Sequence, residues 1–238
     1  MDLGGKLNYH KQRIKALRKI VKKLHPILLV FYKVYSTLTH SYSFNGIKIK
    51  VPSGVFNPKL SFSTKYMFDF LSTVNLKNQM FLEIGAGSGV ISLLASKLGA
   101  NVTATDINPE AIEATKGNAV LNNLQIKVLR SDLFESIEIL AYDIIVLNPP
   151  YYPKTPKNNL EKAWYCGNNF DFFHRFFEKL NIYIHIKTKV FMVLSEDCDL
   201  SEISRIAQSY GFYFQLIDQK IIAWEMNYIY SIQIDNAN

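Results

Sequence analysis

Cysteine, clustered histidine and long apolar runs are scarce in this chain, and each scarcity excludes something. Cys166 and Cys198 are the only two thiols in 238 residues, and neither stands in a metal-ligand spacing. A disulfide-stapled scaffold therefore has no support, and two lone thiols fit a reducing compartment. His10, His25, His40, His174 and His185 are scattered, so no metal site is expected. The greasiest stretch, residues 27–35, is broken by Lys33 and falls far short of the roughly 20 residues a spanning helix needs. Lys, Arg and His interrupt the N-terminus, and no small-residue cleavage site follows, so it does not read as a secretory signal. A cytoplasmic protein with no transmembrane segment is expected.

Acid is missing from one region. Residues 1–50 hold 11 Lys/Arg against Asp2 alone, a charge of +10, while the remaining 188 residues carry −3. The net +7 thus belongs to an N-terminal arm and not to the body. What is present in quantity is apolar matter, 48% of residues with 13% aromatic, enough for one substantial domain plus an appendage.

The order of patterns sets the fold class. In residues 6–25, Ile14, Leu17, Val21 and Leu24 recur at helical spacing between cations, and Pro26 ends or kinks that helix. A second helical segment is predicted at 27–38. Residues 43–51 alternate around Asn45-Gly46, a hairpin signal. Ser61 or Ser63 is placed to cap a helix facing inward through Tyr66, Phe70 and Leu71. From residue 80 strand-like and helix-like runs alternate: 80–84, 90–98, 102–107, 110–121, 126–131, 142–147, 170–184, 189–194 and 200–210. Such alternation predicts a mostly parallel sheet with helices on both faces, an α/β Rossmann-like fold. Two final strand-like runs, 212–219 and 227–234, have no helix between them and should form an antiparallel hairpin at one edge. The predicted division is a basic helical arm over 1–50 and one α/β domain over 51–238.

The candidate site begins at the strand-to-helix turn Glu83-Ile84-Gly85-Ala86-Gly87-Ser88-Gly89. Glycines there let backbone N–H groups approach a cofactor closely. The dinucleotide pattern requires a third glycine where this chain has Val90, so that reading does not fit. The form present resembles the first motif of class I S-adenosylmethionine-dependent methyltransferases. That cofactor has no pyrophosphate; it asks for room and for acceptors for an ammonium, to which Glu83 contributes. Asp106 ends the next strand-like run, where an acid can accept from both ribose hydroxyls, and Asn108-Pro109 starts a helix behind it. Asp132 and Leu133 follow the third run; in the methyltransferase pattern the acid accepts from the adenine amino group and the apolar neighbour lies on the ring.

Asn148-Pro149-Pro150-Tyr151 follows the apolar run 144–147. Two prolines fix the backbone and remove two N–H donors. The Asn148 side chain and the Pro149 carbonyl then form an acceptor pair for the hydrogens of a planar –NH2, and Tyr151 can stack on the flat group. Asn148 is also expected to border the cofactor. Behind a class I first motif, this tetrapeptide is similar to that of the release-factor glutamine methyltransferase (HemK-type) family and its relatives that methylate adenine amino groups. The resemblance covers about residues 52–234. It implies that Asn148 and Tyr151 hold the acceptor, while Gly85, Gly87, Asp106 and Asp132 hold S-adenosylmethionine. Residues 163–169, with Gly167, resemble the family segment that opens the helix after the motif. Gly54-Val55-Phe56-x-Pro58 with Ser63-Thr64 resembles the stretch that closes over the cofactor.

The implied reaction is methyl transfer to a planar amide or amino nitrogen, first of all a protein glutamine side chain. The +10 arm fits RNA, anionic surfaces or a ribosome-associated acidic partner, or packs as an ordinary solvated helix. An RNA or DNA base amino group is therefore the alternative acceptor, and a non-catalytic cofactor-binding scaffold is the third reading.

Overall fold

The computed structural model describes residues 35–222 and 225–234. The helix predicted at 6–25 and most of the segment predicted at 27–38 lie outside the described residues.

The first hairpin, β1 (His40–Phe44) and β2 (Ile47–Val51), turns at Asn45 and Gly46. Both turn residues have positive φ, 47° and 80°, as a two-residue turn matched to strand twist requires. A helix α1 (Phe62–Leu71) follows, capped by the Ser61 hydroxyl, which accepts the Thr64 N–H. Its inward face is Tyr66, Met67, Phe68 and Leu71; Phe70, predicted to be inward, is only half-buried.

The alternation from residue 80 is realised as β3 (Met80–Ile84), α2 (Val90–Lys97), β4 (Asn101–Asp106), α3 (Pro109–Leu121), β5 (Lys127–Arg130), β6 (Ile144–Leu147), α4 (Asp171–Leu180), β7 (Lys189–Ser195), α5 (Leu200–Ser209), β8 (Phe212–Ile222) and β9 (Glu225–Ile234). Helix α4 stops earlier than the predicted 184, and the chain continues as a 3-10 turn over Asn181–Tyr183. The apolar pattern ran on because Tyr183 is buried from that turn as well.

One seven-stranded sheet results, in the order β5-β4-β3-β6-β7-β9-β8. It is parallel from β5 to β7, and the final hairpin adds two antiparallel strands, with β9 against β7 and β8 outermost. The central strands are buried on both faces, which is why β6 reads Ile-Ile-Val-Leu without polar alternation. Odd and even residues serve two cores. Phe81, Ile144, Val146 and Val193 pack with α1, α2 and α3. Leu82, Ile145, Leu147 and Met192 pack with α4 and α5. The inward residues of β1 and β2, Phe44, Ile47, Ile49 and Val51, belong to the first of these cores.

The chain leaves β3 outward to β4 and β5 and then returns to β6 beside β3. That reversal opens a crevice at the carboxyl ends of β3 and β6, where open α/β sheets bind ligands. Ile84 and Leu147 are register partners, so the glycine loop and the Asn148 motif emerge side by side. Among the described residues, no helix is long and apolar enough to cross a membrane.

Candidate active site

A cavity of about 1070 Å³ lies at that crevice. Every predicted site residue lines it: Glu83, Gly85, Gly87, Asp106, Asp132 and Leu133 on one side, Asn148, Pro149 and Tyr151 on the other. The topology, not proximity in sequence, brings them together.

The glycine loop is held by its own backbone and by α3. Gly85, Gly87 and Gly89 all have positive φ, which L side chains rarely adopt. A Cβ at Gly85 or Gly87 would meet nothing within 4 Å, so the space beside them is open. At Gly89 a Cβ would lie 2.7 Å from the Thr115 methyl, so only glycine permits the loop to sit this close to α3. The Ser88 hydroxyl, buried in the same loop, has no hydrogen-bond partner among the described residues.

Three of the carboxylates that border the cavity, Glu83, Asp106 and Asp132, are each differently engaged. Glu83 is buried, and its Oε2 accepts from the Ser92 N–H and hydroxyl at the start of α2. Desolvation pushes its pKa up to about 8, against the opposing pull of Ser92. Asp106 accepts the Gly87 N–H at 2.8 Å through Oδ2 and the Asn108 N–H at 2.9 Å through Oδ1. Burial raises its pKa, and those N–H groups hold it back. Asp132 pairs with Arg175 of α4 at 3.1 Å, and Arg175 also reaches Glu135. Leu133 takes φ 51° and is buried against the cavity. The sequence carries no signal for the partnership of Asp132 with Arg175, a helix-face arginine on a later element.

The Asn148 amide is oriented by a hydroxyl network that no sequence motif announced. Its Nδ2 donates to Ser63 Oγ at 3.0 Å and to Thr64 Oγ1 at 3.2 Å. The Thr64 hydroxyl gives its own proton to Ser61 Oγ at 2.8 Å, so toward Asn148 it can only accept. Ser61 Oγ also accepts the Thr64 N–H and lies 3.0 Å from Ser63 Oγ, to which its proton is free to go. This network assigns nitrogen to the end of the amide that faces Ser63 and Thr64. Both Asn148 amide hydrogens are committed to α1, and Oδ1 is left with no partner among the described residues. Ser63 and Thr64 resemble part of a cofactor-covering stretch; in the structure both accept from Asn148.

Tyr151 packs its ring 4.7 Å from that of Tyr152. Burial raises the Tyr151 hydroxyl far above its ordinary range, with Tyr152, Cys198 and Glu225 adding to the effect and Ser195 opposing it. The group therefore stays neutral and is no base at any ordinary pH. Farther out the cavity is walled by Phe56 and Trp164, rings at 5.3 Å in an edge-on contact. Gly167 has φ 93°, and a Cβ there would fall on the Asp171 carboxylate at the first turn of α4. The Gly54 segment is tied to the far wall where Asn108 Nδ2 donates to the Gly54 carbonyl at 3.0 Å.

The family model described as methyltransferase small domain matches residues 46–209. The release factor glutamine methyltransferase of Streptococcus pneumoniae is 38% identical over 120 residues, 49% of this chain and 42% of that protein. The ribosomal RNA small subunit methyltransferase C of Buchnera aphidicola is 38% identical over 115 residues, 47% of this chain and 32% of that protein. The chain thus spans less than half the length of these two relatives. Among solved structures, a 16S rRNA N2 methyltransferase of T. thermophilus in complex with AdoMet and guanosine superposes with a TM-score of 0.59 at 18% identity, over 81% of this chain and 50% of that one. At that identity the likeness shows the fold.

Proposed function

The chain belongs to the methyltransferase small domain family, and on that premise we propose that it transfers a methyl group from S-adenosylmethionine to a planar amide nitrogen, the side chain of a protein glutamine. The residues fit that cofactor. The cradle beside Gly85 and Gly87 is open, Ser88 Oγ is a buried hydroxyl awaiting a partner, and Glu83, Asp106 and Asp132 form an acid-rich wall. Such a wall suits an ammonium, ribose hydroxyls and an amino group. When bound, S-adenosylmethionine supplies an electrophilic methyl group on a sulfonium centre.

The observation that carries the reading is the locked amide of Asn148. With both N–H groups spent on Ser63 and Thr64, the cavity receives only its oxygen. Together with the Pro149 carbonyl, Oδ1 accepts both hydrogens of an –NH2 group. Those two bonds hold the group in one plane and one rotation, and they raise electron density on nitrogen. A preset acceptor loses no rotational freedom at the moment of reaction. Tyr151, held neutral, contributes its ring as a platform and not a base. No base is needed beforehand, since the nitrogen sheds a proton after the methyl arrives.

The test is transfer of labelled methyl by the purified protein to a release factor, with mass mapping of the product. Label on a glutamine amide supports the reading; label on RNA with none on release factor sinks it. The latter result is the outcome expected of the second reading, an adenine or guanine amino acceptor in RNA. That reading is favoured by the +10 charge of residues 1–50 and by the match to a ribosomal RNA methyltransferase, and it would use the same acceptor pair on an unstacked base.

A further inference from the structure

One face of α3 joins the hairpin to the glycine loop, and its central residue is Asn118. This side chain is 1% exposed. Its Oδ1 accepts the Lys50 N–H at 2.8 Å, and its Nδ2 donates to the Lys50 carbonyl at 3.0 Å and to the Ser88 carbonyl at 2.9 Å. One turn later, Asn122 repeats the pair on Lys48, accepting its N–H at 2.9 Å and donating to its carbonyl at 2.7 Å. The match is geometric: alternate strand residues are about 6.6 Å apart and residues four apart on a helix about 6.0 Å. Two amides thereby satisfy the open edge of β2 as a neighbouring strand would. One turn before Asn118, the Thr115 hydroxyl donates to the Gly87 carbonyl at 3.1 Å.

Successive carbonyls of the glycine loop, Gly87 and Ser88, are therefore both held on α3. In a trans peptide the C=O and N–H point in opposite directions. Pinning the Gly87 carbonyl aims the Ser88 N–H away from α3, with no partner among the described residues, while the Gly89 N–H turns back onto Ala86.

We propose that Thr115 and Asn118 are positioning residues for the cofactor, because they hold the Gly87 and Ser88 carbonyls of the loop on α3. This rests on the cofactor reading above. Asn118→Asp keeps the acceptor for the Lys50 N–H but turns an oxygen onto the Lys50 and Ser88 carbonyls. Thr115→Val keeps the shape and deletes only the bond to Gly87. Asn122→Ala removes a hairpin rung and leaves the loop untouched.

The probe is S-adenosylhomocysteine, titrated calorimetrically into the 238-residue chain and each variant, with the unfolding midpoint measured alongside. Asn118→Asp is expected to weaken binding by about tenfold or more and Thr115→Val by several-fold, since the first removes a buried bond from the loop and the second a part-buried one. Asn122→Ala is expected to lower the unfolding midpoint and leave the affinity within about twofold, because the loop bonds remain. Unchanged affinity in Thr115→Val and in Asn118→Asp overturns the inference, as does an Asn122→Ala loss equal to that of Asn118→Asp. If Asn118→Asp does not fold, Thr115→Val decides. Failure of the unaltered protein to bind the probe overturns the cofactor reading itself, and this inference with it.

Discussion

In the proposed reaction, Asn148 concentrates the chemistry in one amide. Removing it by Asn148→Ala should lower the rate of transfer by about 100-fold or more, the usual effect of losing one preset polar contact to a reacting group. Affinity for S-adenosylhomocysteine should stay within a few-fold, because Glu83, Asp106 and the loop are untouched; equal loss of both would mean that Asn148 is structural. Glu83 makes a different prediction. Its carboxyl ionises at 4.5 in the unfolded chain and at about 8 when folded. The folded protein thus holds a proton that the unfolded chain has released, and that contribution is complete below pH 4.5. It declines as pH rises through the interval and is gone above 8. Denaturation midpoints of the cofactor-free protein should fall from pH 5 to pH 8, and Glu83→Gln should flatten that slope. A slope unchanged by Glu83→Gln would show that other groups set it.

At the scale of elements, the contact between the glycine loop and α3 is a steric choice. Gly89 has φ 81°, and a Cβ would press on Thr115. Gly89→Ala should therefore destabilise the protein by about 2–4 kcal/mol, adding left-handed strain to overpacking. Combining it with Thr115→Ala should recover the overpacking part alone, which denaturant titration of the double variant measures against each single one. The hairpin offers a gentler case. Its turn, its alternation and its inward face were legible in residues 43–51, because they depend on neighbours in sequence. Its attachment to Asn118 and Asn122 was not, because those residues lie a whole β–α–β excursion away.

At the scale of the whole chain, charge and site are largely separate in sequence: residues 51–238, which supply nearly all of the cavity lining, carry a net −3, and residues 1–50 carry +10. Replacing Arg13, Lys15, Arg18 and Lys19 with glutamine should leave S-adenosylhomocysteine affinity unchanged. If the acceptor is RNA, the same protein should lose transfer and also lose most of the salt dependence of transfer, since each cation contributes to the slope. If the acceptor is a protein glutamine recognised in the cavity alone, transfer should persist. Rates at two salt concentrations separate the two outcomes.

The sequence by itself determined the alternation of strands and helices, the glycine turn after β3, the acids ending β4 and following β5, and the Asn148 tetrapeptide after β6. These features are local: apolar period, cap, proline and glycine act within a few residues of where they stand. Family resemblance then assigned them a common reaction. The tertiary structure decided what each side chain has left to offer. It spent the Asn148 hydrogens on Ser63 and Thr64, gave Asp132 to Arg175, placed Glu83 under Ser92 and hung the loop carbonyls on α3. The physical reason is that a polar group's role depends on which of its bonds are already taken, and those partners arrive from strands and helices remote in the chain.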